Sequence, residues 1–102
     1  MTDLEMTKLC AMAMGLRIVY PDQADLPLCV ESAKGAGVYF PLHDDAQAMA
    51  LVKKFKLEPR FNDTKKAWFV TESYSQRIHS WNADLNRAIV ECVAKMQEAR
   101  QA

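Results

Sequence analysis

Apolar residues recur at helical spacing in the middle of the chain. Ala48, Leu51, Val52 and Phe55 lie three or four positions apart. This spacing places them on one face of a helix, with the polar positions between them facing water. The pattern predicts an amphipathic helix whose apolar face packs on the core.

The residues before this face predict how the helix begins. Pro41 lacks an N–H group and therefore ends the preceding strand. Asp44 is suited to the N-cap, and Asp45 adds negative charge at the positive end of the helix dipole, worth about 0.3–1 kcal/mol. Gln47 can reach back as in a capping box while it faces water.

Similar patterns predict two further helices and at least four strands. The first helix covers residues 2–14, is capped by Thr2 or Asp3, and ends at Gly15. The last helix starts near Asn82, and its apolar positions recur at three- and four-residue steps: Leu85, Ala88, Ile89, Cys92, Met96 and Ala99. Strands are predicted at 28–33, 37–40, 57–62 and 67–71, with a short one within 16–20, a Gly-rich turn at 34–37 and a loop at 72–81.

This order of elements, α-β-β-α-β-β-α, predicts the fold class. The strands around Val38 and Trp68 are apolar on both sides, which calls for cover on both faces of a sheet. We therefore expect one α+β domain over residues 1–102, with a mainly antiparallel sheet and helices packed on it as an α/β/α sandwich. The predicted core is Leu9, Cys10, Ala13, Val30, Val38, Phe40, Leu51, Val52, Phe55, Trp68, Val70, Leu85, Ile89 and Cys92.

Three segments resemble a known family. The run 39–49, with its Pro-Leu-His-Asp-Asp helix start, is similar to the P-L-x-D-D-x-x-A-x-x-L motif of the phage ABA sandwich domain family. Segments 13–17 and 84–90 agree with the same family. The resemblance implies helices on both faces of a sheet and an origin in a bacteriophage or prophage. It supplies no catalytic or ligand-binding residues.

Composition narrows the class of protein. Hydrophobic residues make up 50% of the chain and charged residues 25%, which argues against disorder. Thirteen basic residues balance thirteen acidic ones, so no strong overall field attracts nucleic acid or anionic lipid. The acidic start has the wrong sign for a signal peptide, and no apolar run approaches the ~18 residues of a membrane span. Three widely spaced cysteines, Cys10, Cys29 and Cys92, fit reduced and buried thiols of a cytosolic protein, with a disulfide or a metal site as the alternative. The resemblance implies that this compartment is the bacterial host cytoplasm.

The polar residues do not assemble a recognisable active site. The run 43–45 (His-Asp-Asp) could ligate a metal, but no second spaced group completes a site, and helix capping is the favoured interpretation. His79 is expected in a loop, and Ser73, Ser75 and Ser80 lack an evident base. The sequence therefore predicts no catalytic residue, no metal and no cofactor, and a protein that is not an enzyme.

Charge is unevenly placed along the chain. Residues 1–52 carry three basic and seven acidic side chains, whereas residues 53–102 carry ten basic and six acidic ones. Such a basic segment, with Phe61 and Trp68 nearby, could follow a phosphate backbone, although solvated lysines at a helix end and a hairpin tip are the favoured interpretation. The candidate nucleic-acid contacts are Lys53, Lys54, Lys56, Arg60, Lys65 and Lys66.

A second candidate surface lies before the last helix. Tyr74, Arg77 and Trp81 are residue types that dominate protein-binding hot spots, provided that they are exposed. The favoured expectation is that Trp81 is buried and closes the end of the sheet.

Together these patterns predict a small phage or prophage accessory protein that acts by binding a host or phage protein, or a second copy of itself. Modulation of a host process or defence system is one form of this hypothesis. The alternative is a nucleic-acid-binding module that uses the basic segment. No membrane partner is expected.

Overall fold

The computed structural model describes residues 1–73 and 77–101. Within these residues the chain forms three helices and six strands. In chain order they are α1 (Asp3–Ala13), β1 (Arg17–Ile18), β2 (Leu28–Ser32), β3 (Gly35–Tyr39), α2 (Asp45–Phe55), β4 (Leu57–Asn62), β5 (Ala67–Glu72), β6 (His79–Asn82) and α3 (Leu85–Gln101).

The strands pair in two antiparallel sheets. The first has the order β1-β2-β3, with Val30 opposite Ile18 on one side and Gly37 on the other. The second has the order β4-β5-β6, with Val70 between Pro59 and Ser80. The α+β class and the antiparallel pairing are confirmed. The strands form two three-stranded sheets, whereas the sequence led us to expect one.

Helix α3 holds these parts together. It packs against α1, against α2 and against all three strands of the second sheet, while α1 packs against β1 and β2 of the first. The core therefore lies along α3. In the described part of the chain, none of the helices combines the length and apolar composition that crossing a bilayer requires. The buried apolar residues are Met6, Cys10, Ala11, Leu28, Val30, Tyr39, Leu42, Ala48, Leu51, Leu57, Val70, Ala88, Ile89, Val90, Cys92, Val93 and Ala94.

The helix ends follow the sequence closely. Thr2 caps α1 and forms a capping box with Glu5. Gly15 has φ +74°, as expected for the residue that follows a helix C-cap. The Asp44 carboxylate accepts a hydrogen bond from the Gln47 N–H at 3.0 Å, which confirms Asp44 as the N-cap of α2.

The Gln47 side chain has a different role from the one expected. Its Oε1 accepts from the Phe40 N–H at 2.7 Å, and its Nε2 donates to the Val38 carbonyl at 2.9 Å. The capping-box prediction at this residue is therefore wrong, because the amide turns away from its own helix and joins α2 to the edge of β3.

Two other expectations are corrected by the structure. Val38 was predicted to lie in the core, but it is 60% exposed, since β3 is covered on one face only. Residues 79–81 were predicted to be loop and Asn82 to start the last helix, but His79–Asn82 form β6 and α3 begins at Leu85. The central buried position of that strand is Ser80, so the period-two apolar pattern of a strand is absent there.

An ion pair joins the starts of α1 and α3. The Arg87 guanidinium donates to both carboxylate oxygens of Asp3, at 2.8 and 3.0 Å. The hydrogen bond from Arg87 holds the pKa of Asp3 below its ordinary value of 3.8. Because the Asp3 side chain is 48% exposed and the Arg87 side chain 32% exposed, water screens much of this interaction.

Replacing Gln47 by Met should destabilise the fold. The change removes both hydrogen bonds to β3, and two such bonds are worth about 1–3 kcal/mol. Urea unfolding followed by circular dichroism measures this loss. Lys53→Met, at an exposed position of the same helix, is the matched control and should change stability by less than about 0.5 kcal/mol. Equal stability of the two variants would contradict the role given to Gln47.

Replacing Asp3 by Asn should reduce the acid sensitivity of the fold. A lowered pKa in the folded state means that Asp3 contributes stability above pH 3.8 and that this contribution disappears as the pH falls through the lowered value. We expect Asp3→Asn to reduce the free energy of unfolding by roughly a few tenths of a kcal/mol at neutral pH and to leave it unchanged at the acid end. Thermal unfolding across the acid range, with Asp22→Asn as control, tests this.

Candidate binding face on the second sheet

One face of the second sheet is turned away from α3. The register places Arg60, Phe69 and Trp81 side by side across the three strands, with Glu58 and His79 in the neighbouring row. On the opposite face Val70 and Ser80 are buried, and the Ser80 hydroxyl donates to the Ala88 carbonyl of α3. We call the surface formed by Glu58, Arg60, Phe69, His79 and Trp81, together with Lys65 at its rim, the outer face.

An aromatic cluster lies at the centre of the outer face. The rings of Phe69 and Trp81 are 4.7 Å apart, and those of Phe69 and His79 are 5.4 Å apart. The Lys65 Nζ lies 4.2 Å from the centre of the Trp81 ring, within range of a cation–π contact. Trp81 is therefore held in place by its neighbours and yet is 38% exposed.

The charges on this face are mixed. Arg60 pairs with Glu58 at 3.3 Å, and both lie on β4 two residues apart. The arginine side chain remains 70% exposed. The cluster is thus bordered by an arginine, a carboxylate and a lysine, rather than by cations alone.

The basic segment is not assembled into one patch. Lys53 and Lys54 lie in the last turn of α2, whereas Lys65 and Lys66 lie in the turn between β4 and β5. The six residues of β4 separate these pairs by about 20 Å at ~3.3 Å per residue. Lys56 is the left-handed C-cap of α2, with φ +53°.

The aromatic residues near the basic segment lie on the face of the second sheet opposite the outer face. Phe61 and Trp68 are opposite each other in the register, on the side of the sheet that carries Val70. Their rings are 5.2 Å apart in an edge-to-face contact. Phe61 and Trp68 therefore lie on the side of the sheet opposite Arg60, which belongs to the basic segment, and opposite Trp81.

The predicted protein-binding residues are only partly described. Tyr74, like Ser75, lies outside the described residues. Arg77 is exposed. Trp81 is exposed at β6, so the expectation that it is buried is wrong. Its exposure depends on the register of β5 and β6, which the sequence did not reveal.

The His-Asp-Asp run at the start of α2 does not converge on one point. Asp44 caps the helix, Asp45 accepts from the Asn86 amide at 2.8 Å, and the His43 ring packs 4.5 Å from Phe40. His79 lies in a strand rather than in the predicted loop. Among the described residues, no cluster of three or more His, Cys, Asp or Glu side chains is placed to hold a metal ion.

Four of the described side chains that could act as nucleophiles, those of Ser73, Ser80, Cys10 and Cys92, are hydrogen-bonded or buried within the fold. The Ser73 hydroxyl donates to the Lys56 carbonyl, as that of Ser80 does to Ala88. Burial raises the pKa of Cys10 to about 12 and that of Cys92 to about 11, so both thiols stay protonated at neutral pH. Cys29 is a half-buried free thiol.

Open clefts lie beside α3, and two of them also border α2. One, of about 420 Å³, lies between the ends of α2 and α3 and is lined by Lys54, Phe55, Glu72 and Arg100, among others. The other, of about 350 Å³, lies near the starts of the same helices and includes Asp45 and Asn86. Among the described residues that line these two clefts there is no histidine, cysteine or serine.

No protein-family model, curated protein or solved structure matches the chain. The resemblance to the phage ABA sandwich domain family stays a prediction. The candidate site therefore depends on the geometry of the outer face.

Replacing Ser80 by Ala tests the structural role of this hydroxyl. The hydrogen bond to α3 is buried, so its loss should reduce the free energy of unfolding by about 1 kcal/mol. Chemical denaturation measures the difference, with the exposed Thr64→Ala as control. A stability equal to that of the unaltered protein would contradict the structural role.

Proposed function

We propose that the chain is a non-catalytic binding protein that contacts another protein through the outer face. The observation that carries this proposal is the exposed Trp81 on an open sheet, with Phe69 and Lys65 packed against it. An exposed tryptophan that is already fixed by its neighbours loses little conformational freedom when a partner covers it.

The residue types of the outer face suit a protein partner. Trp and Arg dominate the energetics of protein interfaces, and Trp81 lies in the same row as Arg60. The pair formed by Arg60 and Glu58 supplies donors and acceptors beside the aromatic cluster. This arrangement of an apolar centre with a polar border is typical of an interface.

Nucleic acid is the second candidate partner. The contact of Lys65 with Trp81 favours it, because bases stack on aromatic rings while cations meet phosphates. Glu58 on the same face and the separation of the two lysine pairs weigh against it. The balanced net charge of the chain weighs in the same direction.

The biological setting rests on the sequence resemblance alone. It supports the proposal of a phage or prophage protein that acts in the bacterial cytoplasm on a host or phage protein. Modulation of a host process or defence system is the form of binding that we propose for this setting.

Site-specific photocrosslinking in bacterial cells tests the protein proposal. A photoreactive amino acid in place of His79, which is exposed on the outer face and leaves Trp81 intact, should capture a discrete partner protein. The same group at Tyr20, which is 61% exposed and lies outside the second sheet, is the matched control and should not capture that partner.

Replacing Trp81 by Ala should then weaken binding to the captured partner by about 30-fold or more, which corresponds to ~2 kcal/mol for an aromatic hot spot. Isothermal titration calorimetry with the purified partner measures this change, and circular dichroism checks that the variant is folded. Unchanged affinity would reject the outer face as the contact surface.

A binding assay with single-stranded DNA or RNA tests the alternative partner. Salt-dependent affinity that disappears in Lys65→Glu and persists in Lys53→Glu would favour nucleic acid on the outer face over a protein partner. Salt-dependent affinity lost equally in both variants would instead support the predicted basic segment as one continuous site.

A further inference from the structure

The free edge of the first sheet is exposed and carries no charge. β3 is at one end of the order β1-β2-β3, and its residues from Gly35 to Val38 are all exposed. A Cβ atom built at Gly35 or Gly37 meets no atom within 4 Å. Natural sheets usually protect such edges with charged residues, proline or bulges, and β3 has none of these residues.

Hydrogen bonding shows which backbone groups of this edge remain open. The Val38 carbonyl and the Phe40 N–H bond to Gln47, so the backbone groups of these alternate residues point away from β2. Ala36 precedes Val38 by two residues, and its N–H and carbonyl therefore point the same way. In the described part of the chain β2 is the strand that neighbours β3, so the N–H and carbonyl of Ala36 face the open edge of the sheet.

We propose that a second copy of this chain pairs with β3 in the antiparallel direction, with the two-fold axis at Ala36. Each Ala36 N–H then donates to the Ala36 carbonyl of the other copy. The β1-β2-β3 sheets of the two copies then form one continuous six-stranded sheet. Val38, which is 60% exposed, lies next to the joint and is partly covered by the opposite strand.

Two observations favour a second copy over an unrelated extended peptide. Gln47 occupies the edge from the Val38 carbonyl onward, so only a short stretch remains for pairing. A two-fold arrangement uses that stretch twice and places no like charges opposite each other, since β3 is uncharged. A longer peptide would meet the Gln47 side chain after one pair of hydrogen bonds.

The shortness of the edge also sets the strength of this contact. A stable interface buries about 1,200 Å² or more, and one short strand pair with Val38 at its border buries less. We therefore expect a weak dimer whose population increases with concentration. This contact uses the first sheet, so it is independent of the partner proposed for the second.

Replacing Ala36 by Glu should abolish the dimer. The change places two carboxylates opposite each other on the two-fold axis, where like charges destabilise pairing. Ala36→Gln is the matched control of equal size. Sedimentation velocity from micromolar to millimolar concentration should show a mass that rises toward the dimer for the unaltered chain and for Ala36→Gln, and a constant monomer for Ala36→Glu.

A constant monomer for the unaltered chain, or a dimer that persists in Ala36→Glu, would overturn the proposal. Circular dichroism verifies that each variant is folded, which is expected because the Ala36 side chain is exposed.

Crosslinking gives a second, position-specific readout. Ala36→Cys treated with a short bismaleimide should yield covalent dimers, whereas Ala46→Cys, at an exposed position in α2, should yield no more than the unaltered chain with its half-buried Cys29. Equal yields at the two positions would contradict pairing at Ala36.

Discussion

Burial of α3 on several sides is the constraint on which the rest of the structure depends. Six of seven consecutive residues from Ala88 to Ala94 are buried, because this helix packs against α1, α2 and the second sheet at once. A helix with an apolar surface this wide requires neighbours in more than one direction. The two sheets consequently need no extensive contact with each other, and each keeps one face in water. The exposed surfaces of the protein follow from this arrangement.

Several polar groups of the chain bond or pack against the elements around α3. The Ser80 hydroxyl bonds α3, the Arg87 guanidinium bonds Asp3, and the buried thiols have raised pKa values. These groups stabilise the contacts around the central helix. The aromatic cluster of the outer face and the backbone of β3 are exposed.

Local signals in the sequence predicted most elements of the fold. The cap at Asp44, the glycine after α1 and the apolar face through Leu51 all act within one or two helical turns, and each is confirmed. The strand β6 could not be predicted, because its buried position is a serine that is satisfied by another element. The division into two sheets and the exposure of Trp81 depend on long-range pairing. The strand predicted at 57–62 is confirmed as β4, and it lies between the lysines at the end of α2 and those in the turn before β5.

Gln47 has a consequence for the width of the first sheet. Its amide presents one donor and one acceptor to β3, as a peptide unit of an adjacent strand would. The side chain thus imitates a fourth strand that is a single residue long, and it terminates sheet growth at that point. With an apolar residue at position 47, a longer unpaired edge of β3 would be exposed, and such edges promote the formation of fibrils. One amide side chain therefore shortens the part of the β3 edge that is open to another strand.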